Sequence, residues 1–169
     1  MSDDGKLLAA FEDIAGSVAG TIAVDARNLS TGQRVALRTE ERFPSASVIK
    51  IAILVELFAQ AEEGRQSLLD GCRVREEDKV DGSGVLTQLH TGLMVTVEDL
   101  ARLMITVSDN TASNMLLDRL GCEAVTERMA SLGLYGIVMG RKFYDFAARD
   151  RGLDNWVDAA DLSSLLEKI

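Results

Sequence analysis

Hydrophobic and polar positions recur along this chain with two different periods, and each period predicts a different element. Apolar residues at helical spacing predict an amphipathic helix over residues 3–18. A period of two then predicts strands at 21–27 and 33–38, joined by a polar turn that contains glycine. Because an isolated hairpin is only marginally stable, we expect further strands beside it.

After residue 43 the apolar pattern returns to helical spacing. The first helix of this part is apolar on nearly every face, so we expect it to be a buried central helix. Thr96 and Asp99 form a capping-box pattern at the start of the next one. The predicted helices cover residues 47–64, 96–107, 111–120, 122–132 and 156–169, and an ordered surface loop is predicted for 135–155.

Ser47 and Lys50 stand three residues apart at the beginning of the central helix. If the helix begins near Ser47, both side chains lie on one face and within reach of each other. A lysine whose pKa is lowered by burial can remove the proton of a serine hydroxyl. Free N–H groups at a helix start can also stabilise the oxyanion of an attacked carbonyl. This stretch therefore predicts Ser47 as a nucleophile and Lys50 as its base.

Both this pair and a second polar stretch can be explained without chemistry. Serine is a favoured N-cap residue, so S-x-x-K occurs by chance at many helix starts. The triplet Ser108-Asp109-Asn110, between two apolar helices, is by itself typical of a solvated turn. The occurrence of both stretches in one chain, in this order, favours a catalytic site.

A third polar stretch, residues 81–84, is a glycine-flanked loop. Its composition fits a plain turn and the border of a cleft equally well. If it borders a cleft, Ser83 and Gly84 are candidates for substrate binding.

The composition is that of a folded domain and excludes several classes of protein. Hydrophobic residues make up 47% of the 169 residues, which is enough for one core. The formal net charge is −9 without a basic run, so we do not expect nucleic acid as a partner. No apolar run reaches membrane-spanning length, and the acidic N-terminus lacks the pattern of a signal peptide. As written, the chain is expected in the cytoplasm, unless a signal preceded it in the natural protein.

The cysteines and the single histidine do not suggest a metal or redox site. Cys72 and Cys122 lie far apart and have no companion histidines, so buried thiols are expected, with a disulfide left open. His90 is expected to be a solvated loop residue. We therefore expect neither a metal nor a cofactor, and any hydrolase here must work without a Ser-His-Asp triad.

Four blocks of the sequence together resemble the serine β-lactamase and penicillin-recognising family, in its class A-like branch. S-x-x-K and S-D-N belong to the motif set of class A β-lactamases and penicillin-binding proteins. The resemblance extends from the first helix to the last residue. The four blocks are FPSASVIK at 43–50, GSGVL at 82–86, SDNTASN at 108–114 and NWVDAADL at 155–162.

The resemblance implies an α+β fold of the serine β-lactamase/DD-peptidase type. In that fold a helical domain packs on an antiparallel sheet, and the active site lies between them. For this chain we expect one domain over residues 1–169, C-terminally incomplete, with a sheet part over 1–40 and a helical part over 41–169. It should be mostly helical, with an N-terminal hairpin.

The resemblance also implies roles for individual residues. Ser47 would be the acylated nucleophile and Lys50 its proton partner. Ser108 would pass a proton to the leaving nitrogen, and Asn110 would hold the substrate with its amide. Asp109 is expected to brace the turn instead of touching the substrate.

Two features depart from the family pattern. Class A β-lactamases carry a glutamate in R-x-E-x-x-L-N that activates the deacylating water, whereas this chain has Phe143 at that place and Ala147 at the asparagine. Asp145 is the nearest carboxylate, two residues away. No K-T-G or K-S-G occurs before Ile169, so the family's later strands are missing from this sequence. We expect an exposed apolar edge that favours a homo-oligomer, strand exchange or a complementing C-terminal fragment.

These observations support two main hypotheses. The first is a serine hydrolase that cleaves a β-lactam or related small-molecule amide through a Ser47 acyl-enzyme. The second is a penicillin-binding, sensor, peptidase-like or esterase-like protein that is acylated with slow or no deacylation, because the glutamate is missing. A helical protein with chance motifs is the third alternative.

Overall fold

The computed structural model describes residues 3–169, with side chains from Gly5 onward, and it confirms the α+β, mostly helical fold. Its helices are α1 (Asp3–Ser17), α2 (Lys50–Glu62), α3 (Val97–Thr106), α4 (Asn110–Leu120), α5 (Cys122–Ser131), α6 (Phe146–Asp150) and α7 (Ala159–Lys168). Its strands are β1 (Val24–Arg27), β2 (Arg34–Leu37), β3 (Phe43–Pro44), β4 (Gly71–Arg73), β5 (Met94–Thr96) and β6 (Trp156–Val157).

The N-terminal helix and hairpin form as predicted. Strands β1 and β2 pair antiparallel, with Val24 opposite Leu37 and Arg27 opposite Arg34. Helix α1 packs on β2, and α7, from the other end of the chain, packs on β1. Both chain ends therefore meet at this hairpin.

Helix α2 is the central helix of the helical part, as predicted. Ile53 and Leu57 are fully buried, and α3, α4 and α5 pack around the helix. One face of α2 is polar as well as buried. There the Glu56 carboxylate accepts hydrogen bonds from Arg128 Nε and Gln60 Nε2, both at 2.7 Å. The buried charge is thus paired, as an interior charge must be.

Two further strand pairs were not predicted by the periodicity, because each strand is only two or three residues long. Strand β4 pairs with β5, and β3 pairs with β6. The predicted start of the last helix at residue 156 was wrong. Trp156 and Val157 are extended in β6, and the helix begins at Ala159. Asp158 caps that helix by accepting the N–H of Asp161 at 2.8 Å.

The stretch predicted as a surface loop, residues 135–155, is partly buried. Ile137 and Met139 belong to the core, and Val138 exchanges backbone hydrogen bonds of 2.9 Å with Trp156. The short helix α6 also lies within it. The prediction of a surface loop was wrong for this first part, where alternate side chains face the core.

The beginnings of α3 and α4 are fixed by side-chain caps. Thr96 Oγ1 accepts the N–H of Asp99 at 3.0 Å, and an Asp99 oxygen accepts the N–H of Thr96 at 2.8 Å. This confirms the predicted capping box. Asp109 caps α4 by accepting the N–H of Ala112 at 2.9 Å. The cap at Asp109 therefore fixes where the turn between α3 and α4 ends, and this turn carries Ser108 and leads into Asn110.

The remaining residues that the sequence singled out have ordinary surroundings. Cys72 is buried and Cys122 is half-buried, and both are free thiols. His90 is exposed between short elements. Over residues 3–169, none of the helices combines the length and the apolar character that a bilayer-crossing segment needs.

Candidate active site

Ser47 lies in a short 3-10 turn, Ala46–Ile49, that leads directly into α2. The predicted helix start is therefore shifted, because the regular helix begins only at Lys50. Ala46 has a φ of 44°, an unusual value for a residue with a side chain. Ser47 is exposed, and its N–H has no acceptor in the part of the chain that the structure describes. The predicted nucleophile therefore also carries a free backbone donor.

The buried Lys50 ammonium joins the two polar stretches. It donates to the carbonyl oxygen of Ser108 at 2.6 Å, to Ser108 Oγ at 2.9 Å and to Asn110 Oδ1 at 2.9 Å. None of the hydrogen bonds described for Lys50 reaches Ser47. Instead, Ser108 Oγ donates to Ser47 Oγ at 2.9 Å. The expected direct contact is thus replaced by a chain in which Ser108 lies between the two.

Burial changes the acidity of this lysine. Lys50 is 2% exposed, and its desolvation lowers its pKa to about 8, although the nearby Asp109 carboxylate acts in the opposite direction. The ammonium also lies 4.6 Å from the centre of the Phe143 ring. A lysine with such a pKa can be neutral in part of the molecules near neutral pH, as a base must be.

Asp109 fixes the geometry of the turn, in agreement with its expected role. Its side chain is 1% exposed, and besides capping α4 it accepts the N–H groups of Val85 at 2.7 Å and Leu86 at 2.9 Å. A Cβ atom on Gly84 would collide with this carboxyl group. Ser108, next to it, has a φ of 55°, which turns both its carbonyl and its hydroxyl towards Lys50.

The glycine-flanked loop, residues 81–84, also contacts Asn110. The carbonyl oxygen of Ser83 accepts the N–H of Asn110 at 2.9 Å. A Cβ atom on Gly82 would lie 2.7 Å from Asn110 Nδ2 and 2.6 Å from the Tyr144 hydroxyl, so the loop approaches too closely for another residue. Substrate binding by Ser83 and Gly84 stays a prediction, since neither lines the cavity beside Ser47.

A cavity of about 470 Å³ opens beside Ser47. The turn that carries Ser47 forms one wall, and the segment from Arg141 to Asn155 forms the other. Its lining residues are Pro44, Ser45, Ala46, Ser47, Asn110, Arg141, Phe143, Arg149, Asp154 and Asn155. The space suits a small molecule that reaches both Ser47 and Asn110.

Polar side chains that the sequence did not single out hold this second wall in place. Arg141 pairs with Asp154 at 2.8 Å, and Asn155 Oδ1 accepts the N–H groups of Gly140 and Arg141 at 2.9 and 3.0 Å. Asn114, on α4, holds the peptide of Phe143 through two hydrogen bonds of 2.9 Å. Only the opposite charges of Arg141 and Asp154 were visible in the sequence, and many such pairs exist in any chain.

Phe143, which the sequence resemblance aligns with the family's glutamate, lies at the cavity beside Ser47. Phe143 lines the cavity, and its ring faces the Lys50 ammonium. The Asp145 carboxylate accepts the N–H of Ala148 at 2.9 Å and caps α6. Asp154 also lines the cavity, but its charge is compensated by Arg141. Among the described residues, no unpaired carboxylate therefore faces Ser47 across the cavity.

Comparison with known proteins identifies the family of this chain. A family model described as the β-lactamase enzyme family matches residues 6–169. β-Lactamase L2 of Stenotrophomonas maltophilia is 35% identical over 133 residues, which is 77% of this chain and 44% of the relative. The chain thus spans less than half the length of this relative.

Solved structures share the fold. A β-lactamase from Sphaerobacter thermophilus is 33% identical with a TM-score of 0.82, over 91% of this chain and 58% of that one. PBP-A is 28% identical with a TM-score of 0.86, over 96% of this chain and 60% of that one. The serine, lysine and S-D-N residues of this chain lie together in one site. Because the family model matches residues 6–169, the chain belongs to the β-lactamase enzyme family.

Proposed function

We propose that this chain carries the nucleophilic part of a serine acyl-transfer site, in which Ser47 attacks the carbonyl carbon of a β-lactam or related amide. The observation that carries this proposal is the chain of hydrogen bonds from Lys50 Nζ through Ser108 Oγ to Ser47 Oγ, each of 2.9 Å. Such a chain can move a proton away from the nucleophile and return it to the leaving group.

The bonded positions define the order of the proton transfers. When Lys50 is neutral, the two hydroxyls rotate so that Ser47 donates to Ser108 Oγ and Ser108 donates to Lys50 Nζ, the reverse of the directions they have with the ammonium. The Ser47 hydroxyl then gives its proton to Ser108 Oγ while Ser108 gives its own to Lys50 Nζ. Ser47 Oγ then bonds to the carbonyl carbon, and the C–N bond of the amide breaks. The leaving nitrogen takes a proton from Ser108, which Lys50 restores. For a β-lactam the ring opens and all its atoms stay on the enzyme.

Two groups beside Ser47 are suited to hold the substrate. The free N–H of Ser47 can donate to the oxyanion that forms on the attacked carbonyl. Asn110 Nδ2 donates to the carbonyl oxygen of Asp81 at 3.2 Å and has a second N–H, because a side-chain amide carries two. That second donor can hold a carbonyl oxygen of the acyl group in the cavity.

The second candidate function, acylation without efficient hydrolysis, is favoured by Phe143. Hydrolysis of an acyl-enzyme needs a base that activates water, and such a base contributes about 10²–10⁴-fold in rate. Phe143 occupies the place of that base and has no acid–base chemistry. The acyl-enzyme would then persist, as in a penicillin-binding or sensor protein.

We propose that an apolar groove between β1 and α7 binds a second copy of the chain. Two cavities of about 510 and 390 Å³ adjoin there and share Ala23, Ala159 and Leu162. Leu29 and Leu166, which line the larger one, are 79% and 57% exposed. In the described chain, β1 pairs only with β2, so its other edge is open. An open strand edge beside apolar side chains favours pairing with a second copy of the 169-residue chain.

The role of Ser47 can be tested by intact-protein mass spectrometry after incubation with benzylpenicillin. We expect the mass of the chain to increase by that of one penicillin molecule, because no atoms leave on ring opening. Ser47→Ala should abolish the adduct. Ser131→Ala, which changes an exposed serine on α5 whose hydroxyl donates to Arg128 O, is the matched control. A full adduct on Ser47→Ala would contradict the proposal.

The rate of acylation should depend on pH through Lys50. The protonated amine cannot accept a proton, and its neutral fraction grows as the pH rises towards its pKa of about 8. The second-order rate constant should therefore rise about tenfold per pH unit below that value and level off above it. Intact-protein mass spectrometry of samples quenched at set times, between pH 6 and 10, measures this profile. A constant rate below pH 8 would exclude Lys50 as the base.

Slow deacylation can be tested by placing a carboxylate at the position of Phe143. Phe143→Glu should shorten the lifetime of an isolated acyl-enzyme by about 10²-fold, because it supplies a base near the ester. Phe143→Leu removes the ring without adding a base and should leave the lifetime long. The decay of the adduct mass after removal of free penicillin gives both rates. A short lifetime in the unchanged chain would overturn the second candidate.

Association through the groove can be tested by sedimentation velocity over a range of concentrations. We expect the unchanged chain to show a monomer–dimer equilibrium, because water leaves the apolar groove on pairing. Leu166→Glu should shift it to the monomer by placing a charge in the groove, whereas Leu153→Glu, at an exposed leucine outside it, should not. A chain that stays monomeric throughout would contradict this proposal.

A further inference from the structure

Among the described residues that line the cavity beside Ser47, Arg149 is the one cation without a counter-ion. Arg141 and Asp154 on its wall form an ion pair at 2.8 Å, so their charges largely cancel. Arg149 also lines the cavity, and none of the carboxylates described in residues 3–169 pairs with it. Lys50 is buried and does not line the cavity, and the nearby Asp109 carboxylate offsets its charge. The cavity is thus locally positive in a chain whose formal net charge is −9.

The position of Arg149 is fixed by its neighbours. It lies on α6, which Asp145 caps, and its guanidinium carbon is 5.0 Å from the centre of the Phe146 ring. Phe146 in turn packs edge-on against Tyr144, with ring centres 5.5 Å apart. An arginine stacked on an aromatic ring loses less conformational freedom when it binds an anion, because its side chain is already ordered.

The location of Arg149 relative to Ser47 indicates which part of a ligand it meets. This step rests on the proposed function. Asn110 and Arg149 line the same cavity as Ser47, and the Ser83–Gly84 loop lies outside it. We therefore expect an acyl group attached to Ser47 and held by the Asn110 amide to extend its side chain towards the wall that carries Arg149.

We propose that Arg149 is a specificity-determining residue that binds a carboxylate on the acyl side chain of the substrate. The guanidinium presents a planar pair of N–H donors that matches a carboxylate. Water reaches this exposed arginine, so the gain is modest. The site then prefers substrates whose acyl side chain is anionic over neutral ones of the same size.

Two penicillins that differ by one side-chain carboxylate test this preference. The ratio of acylation rate constants for α-carboxybenzylpenicillin and benzylpenicillin is measured on the unchanged chain and on variants. Arg149→Gln should lower this ratio roughly three- to fivefold, and Arg149→Lys should retain much of it. Arg151→Gln, two residues away and outside the cavity lining, is the matched control and should leave the ratio unchanged. High salt should lower the ratio in the unchanged chain.

An equal ratio in the unchanged chain and Arg149→Gln would overturn the proposal, as would an equal fall in Arg151→Gln. A second measurement tests anion binding by Arg149 independently of acylation, so that failure of the proposed function can be told apart from failure of this inference. If neither penicillin acylates the chain, binding of phenylmalonate and phenylacetate is compared by NMR titration, which needs no acylation. Tighter binding of the dianion that disappears in Arg149→Gln supports the proposal. No preference for the dianion contradicts it.

Discussion

The buried ammonium of Lys50 is the interaction on which the rest of the site depends. A charge that is 2% exposed must be satisfied inside the protein, and three oxygen atoms of Ser108 and Asn110 do this. Their hydrogen bonds draw the turn between α3 and α4 onto the beginning of α2. The same contacts bring Ser108 Oγ to Ser47 Oγ. The solvation of one lysine thus brings together the proposed nucleophile, relay and base.

The surrounding chain keeps this arrangement rigid by using backbone groups as partners. Asp109 binds three backbone N–H groups from two segments, so the S-D-N turn and the glycine-flanked loop move as one unit. Asn114 holds Phe143 in a similar way against the opposite wall of the cavity. Catalysis depends on positions held within fractions of an ångström, and buried side chains bonded to backbone provide such positions. The unusual backbone angle of Ser108 occurs next to Asp109, at the carbonyl that Lys50 binds.

The cavity combines features that suit the proposed acylation with one that would oppose hydrolysis. The hydrogen-bonded chain and the lowered pKa of Lys50 suit the proposed formation of an ester on Ser47. Phe143 occupies the opposite wall without offering a base, and Arg149 adds a charge that can select among acyl groups. The family is shared with β-lactamases, and under the proposed function these residues would decide which step is fast and which side chain is preferred.

The sequence by itself determined the helices with a clear apolar period, the N-terminal hairpin, the capping box at Thr96 and the candidate residues Ser47, Lys50, Ser108 and Asn110. Those features depend on neighbours a few residues away, and local spacing records them. Only the tertiary structure decided that Ser108 stands between Lys50 and Ser47, that Trp156 is in a strand, and that Arg141, Phe143 and Arg149 share a wall of the cavity. The Lys50–Ser108 and Ser108–Ser47 hydrogen bonds join residues 58 and 61 positions apart, and Trp156 pairs with Pro44, 112 positions away. Local spacing cannot record such contacts, because the burial of one segment against another is a property of the whole packed chain.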